Sequence, residues 1–281
     1  MWISPAWRSS HTTLDQSSEL QGYAQLSHYT ATYRERGDGP PLVLIPGLAG
    51  GIDMLGPMAR RLSRHFRVIA YQLRGEEDCF ALRRRFDMKD LVEDLAEFLD
   101  YHGLERPHLL GVSFGGVLGV EFAARYPHRV SSLSVQGVGA RFEGNLLKLV
   151  TGLALSGYPL PAENAFINQF FRMLFGRGPY ESPQLDFVVK HCWRTDQSVM
   201  THRFQLIRKR DLRSRLGRIR IPVMVMSADR DVLVSKASLT ELCDGIDDVR
   251  LVKLPSGGHL AFVAHPDLVA DEVRQFVAGV E

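Results

Sequence analysis

Short, largely apolar runs that alternate with helical patterns most limit the folds open to this chain. Six runs of four to six residues lie at 42–45, 66–70, 108–112, 130–135, 223–226 and 249–254. Such runs are typical of parallel strands that are buried on both faces of a sheet. Helical patterns, with apolar residues three and four positions apart, lie at 54–65, 88–102, 117–126 and 266–280. The alternation predicts an α/β fold with a doubly wound, mostly parallel sheet.

Two segments depart from this alternation. Residues 23–36 alternate polar and apolar side chains, which predicts a half-buried antiparallel strand, and residues 1–22 are expected to form a flexible tail. Residues 141–216 carry helical patterns with no convincing strand. Ordinary crossover helices are one interpretation, but the length favours an inserted helical cap over one edge of the sheet. The core of the fold would then comprise 23–140 and 217–281.

The composition and net charge are ordinary and indicate no particular class of binding partner. The 281 residues are 45% hydrophobic and 23% charged, and the formal net charge of +2 gives no reason to expect a nucleic-acid partner. The Arg-rich stretch 203–220 reads most simply as a solvated surface, with an anion-attracting surface as the alternative. The first twenty residues are polar and lack the apolar segment of a signal peptide. The sequence contains no run of about 18 apolar residues, so stable insertion into a membrane is not expected.

The three cysteines, Cys79, Cys192 and Cys243, are far apart and odd in number, with no metal-binding spacing. They are expected to be reduced thiols in a cytoplasmic protein. The sequence leaves open whether the chain forms a homodimer, and no metal site is expected.

A serine framed by glycines is the first candidate functional residue. Gly111-Val112-Ser113-Phe114-Gly115 follows the apolar residues 107–110 and precedes a helical pattern. In that context a serine sits on a strained turn between strand and helix, with its hydroxyl exposed at the edge of the sheet. The flanking glycines allow strand and helix to approach closely.

A serine hydroxyl becomes a good nucleophile only when a base takes its proton, and the base usually needs an orienting carboxylate. His259 stands out among the ten histidines because it follows the last apolar run, at the edge where sites assemble in parallel sheets. Asp229 and Asp231 both follow the run 223–226 and are both suitably placed. Either gives the chain order serine, aspartate, histidine.

These motifs resemble the α/β-hydrolase superfamily, in the branch that carries a helical cap. The resemblance spans about residues 25–281 and is carried by 111–116, 228–234 and Gly258-His259. It implies that Asp231 is the catalytic aspartate, because Ala228 and Ser235 then match the glycine and proline that commonly flank this segment. Asp229 would be a surface acid.

The resemblance also implies an oxyanion hole. The backbone N–H of Phe114, directly after the serine, is one expected donor. The second is Leu48, in the glycine-rich loop 46–51, where Pro46 replaces the family's usual histidine. Another departure is at 72–78. Many relatives have an aspartate, two other residues, a glycine and then glycine-x-serine there, and here Gln72 and the acidic residues 76–78 replace parts of that pattern.

The resemblance and the motif together predict a serine hydrolase of the esterase or lactonase kind, without metal or organic cofactor. It would act on a small, largely apolar acyl substrate, with Gly47, Phe170 and Trp193 as expected substrate contacts. Carbon–carbon bond hydrolases, amidases, thioesterases, cofactor-free haloperoxidases and acyltransferases share the same triad and remain alternatives. A non-catalytic ligand receptor with this fold is the alternative from another functional class.

Overall fold

Eight strands form one sheet in the computed structural model, which describes residues 19–76, 85–142, 165–176 and 182–280. The strands are β1 (Leu20–Gln25), β2 (Thr30–Arg36), β3 (Pro41–Ile45), β4 (Arg67–Tyr71), β5 (His108–Val112), β6 (Ser132–Gln136), β7 (Val223–Ala228) and β8 (Val249–Leu254). Their order is β1-β2-β4-β3-β5-β6-β7-β8. Strands β3 to β8 are parallel to one another, whereas β2 is antiparallel to both β1 and β4. The predicted doubly wound, mostly parallel sheet is confirmed.

Helices cover both faces of this sheet. They are α1 (Gly51–Leu62), α2 (Met88–Tyr101), α3 (Phe114–Arg125), α4 (Ala165–Phe175), α5 (Ser182–Cys192), α6 (Gln197–Arg208), α7 (Arg213–Leu216), α8 (Lys236–Asp244), α9 (Ala261–Ala264) and α10 (Pro266–Ala278). Along β3, Val43 and Ile45 join the core cluster that contains α2 and α3 residues. Leu42 and Leu44 join the opposite cluster, which contains α1 and α10 residues. The apolar runs of the inner strands are nearly continuous because these strands bury alternate side chains on opposite faces. At the edge of the sheet, β8 departs from this expectation, because Arg250, Leu251 and Lys253 are exposed.

The N-terminal edge of the sheet differs from the expected single strand at 23–36. The segment is a hairpin, in which β1 ends at Gln25 and the Leu26 N–H donates to the Tyr29 carbonyl at 3.0 Å before β2 begins. Leu20 pairs with Glu35, so residues 20–22, assigned to the tail, belong to the sheet. The alternation runs through the turn because Ala24 and Ala31 are cross-strand partners that are both buried. Residues 1–18 lie outside the described residues.

Between β6 and β7 the described residues 165–176 and 182–216 form α4 to α7 and contribute no strand to the sheet. We call α4 to α7 the inserted helices. The predicted helical stretch 146–155 lies outside the described residues. The inserted helices and the turn between α5 and α6 pack onto two loops at the carboxyl edge of the sheet. The Leu260 N–H donates to the Leu174 carbonyl at 3.0 Å, and the Gly50 N–H donates to the hydroxyl of Thr195, in that turn, at 2.9 Å. The division into core and cap stays a prediction.

The Arg-rich stretch 203–220 is not uniformly a solvated surface. Arg203 is fully buried, against the simplest expectation for this stretch. Arg213 and Arg220 are exposed and pair with Asp211 and Asp247. The difference arises because Arg203 finds a buried carboxylate partner, Glu76, on another segment of the chain.

Cys192 is buried and Cys243 is partly buried, and both are free thiols. Burial raises the pKa of the Cys192 thiol to about 12, which keeps it protonated and unreactive at neutral pH. Cys79 lies outside the described residues. Across those residues, no helix combines the length and the apolar character needed to cross a bilayer.

His102 makes the stability of this fold sensitive to acid. It follows α2 and lies among aromatic rings, with its ring centroid 4.5 Å from that of Tyr33 and 4.6 Å from that of Phe98. Burial is the main cause that lowers the pKa of His102 to about 4. The unfolded chain takes up this proton near pH 6.5 and the native state only near pH 4.

Stability should therefore fall as the pH drops from 6.5 towards 4, because the unfolded state binds more protons in that window. The free energy of unfolding is expected to be about 1–2 kcal/mol lower at pH 5 than at pH 8 through this group, allowing for partial solvent exposure of the ring. Urea titrations at both pH values would measure the loss. In the His102→Phe variant the loss should shrink by that amount, and an unchanged pH dependence would contradict the assignment.

Candidate active site

Ser113 occupies a strained turn between β5 and α3. Its backbone angles are φ 50° and ψ −114°, in a region that non-glycine residues rarely adopt. The Ser113 N–H donates to the Gln136 carbonyl at 2.8 Å, and the Ser113 carbonyl accepts from the Val117 N–H at 3.1 Å. These bonds hold the residue in a conformation that costs on the order of 1–3 kcal/mol. The predicted strand-to-helix turn is present.

The glycines around Ser113 are required by close backbone contacts. A Cβ atom on Gly111 would lie 2.4 Å from the Gly115 carbonyl oxygen, and one on Gly115 would lie 2.3 Å from the Ile45 carbonyl oxygen. Any larger residue would push α3 away from the ends of β3 and β5. The helix that follows the serine is thereby held against the loop that follows β3.

The structure brings together the three residues predicted to form the triad. His259 Nε2 lies 2.8 Å from Ser113 Oγ, and His259 Nδ1 lies 2.8 Å from Asp231 Oδ2. Both are hydrogen-bond distances. The three side chains come from segments after β5, β7 and β8, whose carboxyl ends lie at one edge of the sheet.

Asp231, and not Asp229, faces the histidine. Asp231 Oδ1 accepts the N–H groups of Leu233 at 2.8 Å and Val234 at 3.1 Å, which leaves Oδ2 for His259. Asp229 is exposed. Burial acts to raise the pKa of Asp231, but the charge of His259 and the hydrogen bonds from His259 and the two N–H groups outweigh burial and lower it. Asp231 is therefore held as a carboxylate that stabilises a positive charge on the imidazole.

Two residues at the end of β6 position His259 and were not assigned a role from the sequence. The Gln136 side-chain amide donates to the His259 carbonyl at 3.1 Å, and Gln136 is buried. Gly137 has φ +71°, and a Cβ atom there would lie 2.9 Å from His259 Cε1. The signal in the sequence was the place of Gln136-Gly137, directly after a predicted strand between the serine and the aspartate strands.

The loop after β3 lies beside Ser113. A Cβ atom on Gly47 would be 3.9 Å from Ser113 Cβ, an ordinary contact distance. Gln72, which replaces part of the family pattern, accepts the Ile52 N–H on its Oε1 at 3.0 Å and so holds the start of α1 in place. Phe114 is the first residue of α3, where N–H groups have no partner within the helix. Phe114 and Leu48 thus belong to the two backbone segments that flank the serine hydroxyl.

A small, largely apolar cleft opens at Ser113 and His259, with a volume of about 80 Å³. Its described apolar lining consists of Phe114, Val117, Val138, Ala140, Phe142, Ile207, Leu212, Leu233 and Val234. Sites that enclose drug-sized ligands are several times larger.

None of the three expected substrate contacts is among the described residues that line this cleft. Phe170 and Trp193 are half-buried and pack against the core cluster that contains α1 and α10 residues. Gly47 lies next to Ser113, although the described lining of the cleft does not include it. The described wall is formed instead by residues that follow β6, such as Phe142, and by residues near the end of α6, such as Ile207.

Comparison with known proteins supplies an independent test of the fold. A family model described as alpha/beta hydrolase fold matches residues 40–266, which is most of the chain. The chain belongs to this family. The match takes in β3 and the loop after it, the turn at Ser113 and the segments that hold Asp231 and His259.

Two curated relatives and one solved structure illustrate the similarity. The chain is 25% identical over 273 residues to "Putative carbamate hydrolase RutD" of Azorhizobium caulinodans, covering 89% of this chain and 95% of that protein. It is 28% identical over 248 residues to the protein of the same name from Variovorax paradoxus, with 86% and 93% covered. The enol-lactonase of Burkholderia xenovorans LB400 superposes with a TM-score of 0.81 at 23% identity, covering 92% of this chain and 100% of that chain. The α/β-hydrolase family predicted from the sequence is confirmed.

Proposed function

We propose that this protein is a serine hydrolase that cleaves an ester, lactone or related acyl bond through an acyl-enzyme on Ser113. The observation that carries the proposal is the unbroken hydrogen-bond chain from Ser113 through His259 to Asp231, with both distances at 2.8 Å. This arrangement lets a base take the proton of a nucleophile while a carboxylate holds the base.

In the first half of the reaction, Ser113 Oγ attacks the carbonyl carbon and its proton passes to His259 Nε2. The carbonyl electron pair moves onto the oxygen, which becomes an oxyanion that the N–H groups of Phe114 and Leu48 would stabilise. When the carbonyl re-forms, the bond to the leaving oxygen breaks and His259 gives that oxygen its proton. For a lactone, the alcohol that leaves stays attached to the acyl group.

Water completes the cycle. His259 takes a proton from water as the water oxygen attacks the acyl carbon, and a second oxyanion forms in the same place. The bond to Ser113 Oγ then breaks, and His259 returns the proton to the serine. The buried carboxylate of Asp231 stabilises the imidazolium in both halves.

The likeness to relatives named as carbamate hydrolases gives a second candidate substrate class. A carbamate presents the same kind of carbonyl carbon to Ser113, and its attack would need the same base and oxyanion donors. The small cleft fits both a short acyl ester and a simple carbamate. The second candidate therefore differs in the group attached to the carbonyl and not in the residues used.

A substrate panel tests the proposal. Wild type and Ser113→Ala would be incubated with p-nitrophenyl acetate, a six-membered lactone and p-nitrophenyl N-methylcarbamate, and product formation would be followed with intact-mass detection of acylated protein. We expect turnover and an acyl adduct only with wild type, with the short ester or the lactone turned over faster than the carbamate. Faster carbamate turnover would select the second candidate. Turnover equal to that of a folded Ser113→Ala variant on every substrate would refute both.

A further inference from the structure

We propose that Arg203, Thr195 and Glu76 are positioning residues that hold the loop at residues 47–50, and with it the Leu48 N–H, in place for oxyanion stabilisation. The inference rests on the proposed function. None of the three side chains lines the described part of the cleft at Ser113. Their action would be exerted through the backbone of the loop.

The Arg203 side chain extends from α6 into the core and donates hydrogen bonds to backbone carbonyl oxygens there. Its Nη1 donates to the Leu48 carbonyl at 3.1 Å and also pairs with Glu76, and its Nη2 donates to the Arg74 carbonyl at 2.7 Å. The Arg203 side chain is fully buried, and that of Glu76 is 2% exposed. A planar guanidinium can serve several acceptors in a fixed geometry, which a lysine ammonium cannot reproduce.

Thr195 holds the same loop from a second direction. Its hydroxyl accepts the Gly50 N–H at 2.9 Å and donates to Glu76 Oε2 at 2.6 Å. The Thr195 hydroxyl must donate to Glu76 because the carboxylate can only accept, and this leaves its lone pair for Gly50. Glu76 therefore sets the orientation of both groups that hold the loop.

These contacts fix the two peptide units that follow Leu48. The Leu48 carbonyl belongs to the peptide unit shared with Ala49, and the Gly50 N–H to the unit shared between Ala49 and Gly50. Before the loop, Ile45 is held in the sheet by pairing with Gly111. The peptide unit that carries the Leu48 N–H thus lies between two anchored segments, and its direction depends on both.

Arg203 also contacts the other oxyanion residue. Its guanidinium carbon lies 5.8 Å from the centroid of the Phe114 ring, within the range of a cation–π contact. One side chain from the inserted helices therefore touches both residues whose N–H groups are expected to meet the oxyanion. A donor that is displaced by a fraction of an ångström loses much of its effect on the transition state.

The Thr195→Val and Thr195→Ser variants test this role as a matched pair. Valine keeps the shape and removes both hydroxyl bonds, and we expect kcat to fall about tenfold to a hundredfold with KM changed less than about threefold. Serine restores the hydroxyl and should keep kcat within about twofold of wild type. Steady-state kinetics on the best ester of the panel would measure both.

The variants Arg203→Lys and Glu76→Gln extend the test to the ion pair between these two residues. Two control variants each remove a different ion pair, so that the general effect of losing an ion pair can be subtracted. Asp94→Asn removes a buried partner of Arg74 inside the core, and Arg194→Met removes a partner of Asp53 that joins the inserted helices to α1. Asp94 bonds the Arg74 guanidinium and Arg194 bonds the Asp53 carboxylate, and both of these partners lie outside the loop at 47–50. We expect the controls to lower the melting temperature with kcat nearly unchanged, whereas Arg203→Lys and Glu76→Gln should lower kcat even where they remain folded.

A boronic acid separates loss of oxyanion binding from a general structural effect. It forms a tetrahedral adduct on Ser113 Oγ, with a boron-bound oxygen directed at the oxyanion donors. Its inhibition constant should rise in Thr195→Val by the same factor as kcat/KM falls. The inference would be overturned, and the proposed function would stand, if the wild type is active and folded Thr195→Val, Arg203→Lys and Glu76→Gln all keep the wild-type kcat. An inactive wild type would overturn the proposed function first.

Discussion

Replacing Ser113 by alanine is expected to lower kcat on the order of a million-fold, the loss found when a triad serine is removed. The His259 imidazole would have no hydroxyl proton to take, because Ser113 Oγ is the atom 2.8 Å from its Nε2. Any remaining rate would come from substrate binding and the oxyanion donors acting on water. Progress curves with the best ester of the panel would measure the loss, since spontaneous hydrolysis sets the floor.

His259→Ala is the companion variant. Its loss should be of similar size, and the double variant Ser113→Ala/His259→Ala should be little slower than either alone, because the two residues act as a unit. Urea unfolding midpoints would confirm that each protein is folded. Losses that multiply in the double variant would show that the two side chains act separately, and this would contradict the mechanism.

Much of the fold could be predicted from the sequence because its signals are local. The inner strands β3 to β7 are buried on both faces, and each left an apolar run that can be recognised without knowing its partners. The hairpin at β1 and β2 was harder, because its alternation continues through the turn at 26–29. A pattern of period two reports which face is buried and does not report where the chain reverses.

The candidate site also combines residues that local sequence signals predict and residues that they do not. Ser113 and His259 could be predicted because each follows a strand, and parallel strands end at one edge of the sheet. Their meeting at hydrogen-bond distance agrees with that expectation. Asp229 and Asp231 could not be separated by position alone, and the difference appears only in which carboxylate accepts the N–H groups of the following turn.

Arg203 and Thr195 could not have been found by this route. Their partners in the 47–50 loop lie 155 and 145 positions away. Neither α6, which carries Arg203, nor the turn before it, which carries Thr195, bears a motif. Phe170 on α4 and Trp193 just after α5 illustrate a related limit, because an aromatic side chain in this part of the chain can face a core as readily as a cleft. Side-chain partners across distant segments depend on tertiary packing, which local patterns do not record.

Asp231→Asn should lower kcat about 10,000-fold, with Asp229→Asn as its matched control. Asp231 Oδ1 is occupied by the N–H groups of Leu233 and Val234, so an asparagine would keep its carbonyl oxygen there and turn its NH₂ group towards His259 Nδ1. An NH₂ group can only donate, so His259 would carry its proton on Nε2, where it needs a lone pair to accept the proton of Ser113. The exposed Asp229 has no such contact, and its variant should stay within about twofold of wild type. Initial rates of both variants at pH 7.5, with their melting temperatures, would measure the contrast, and equal losses in the two would reject Asp231 as the residue that orients His259.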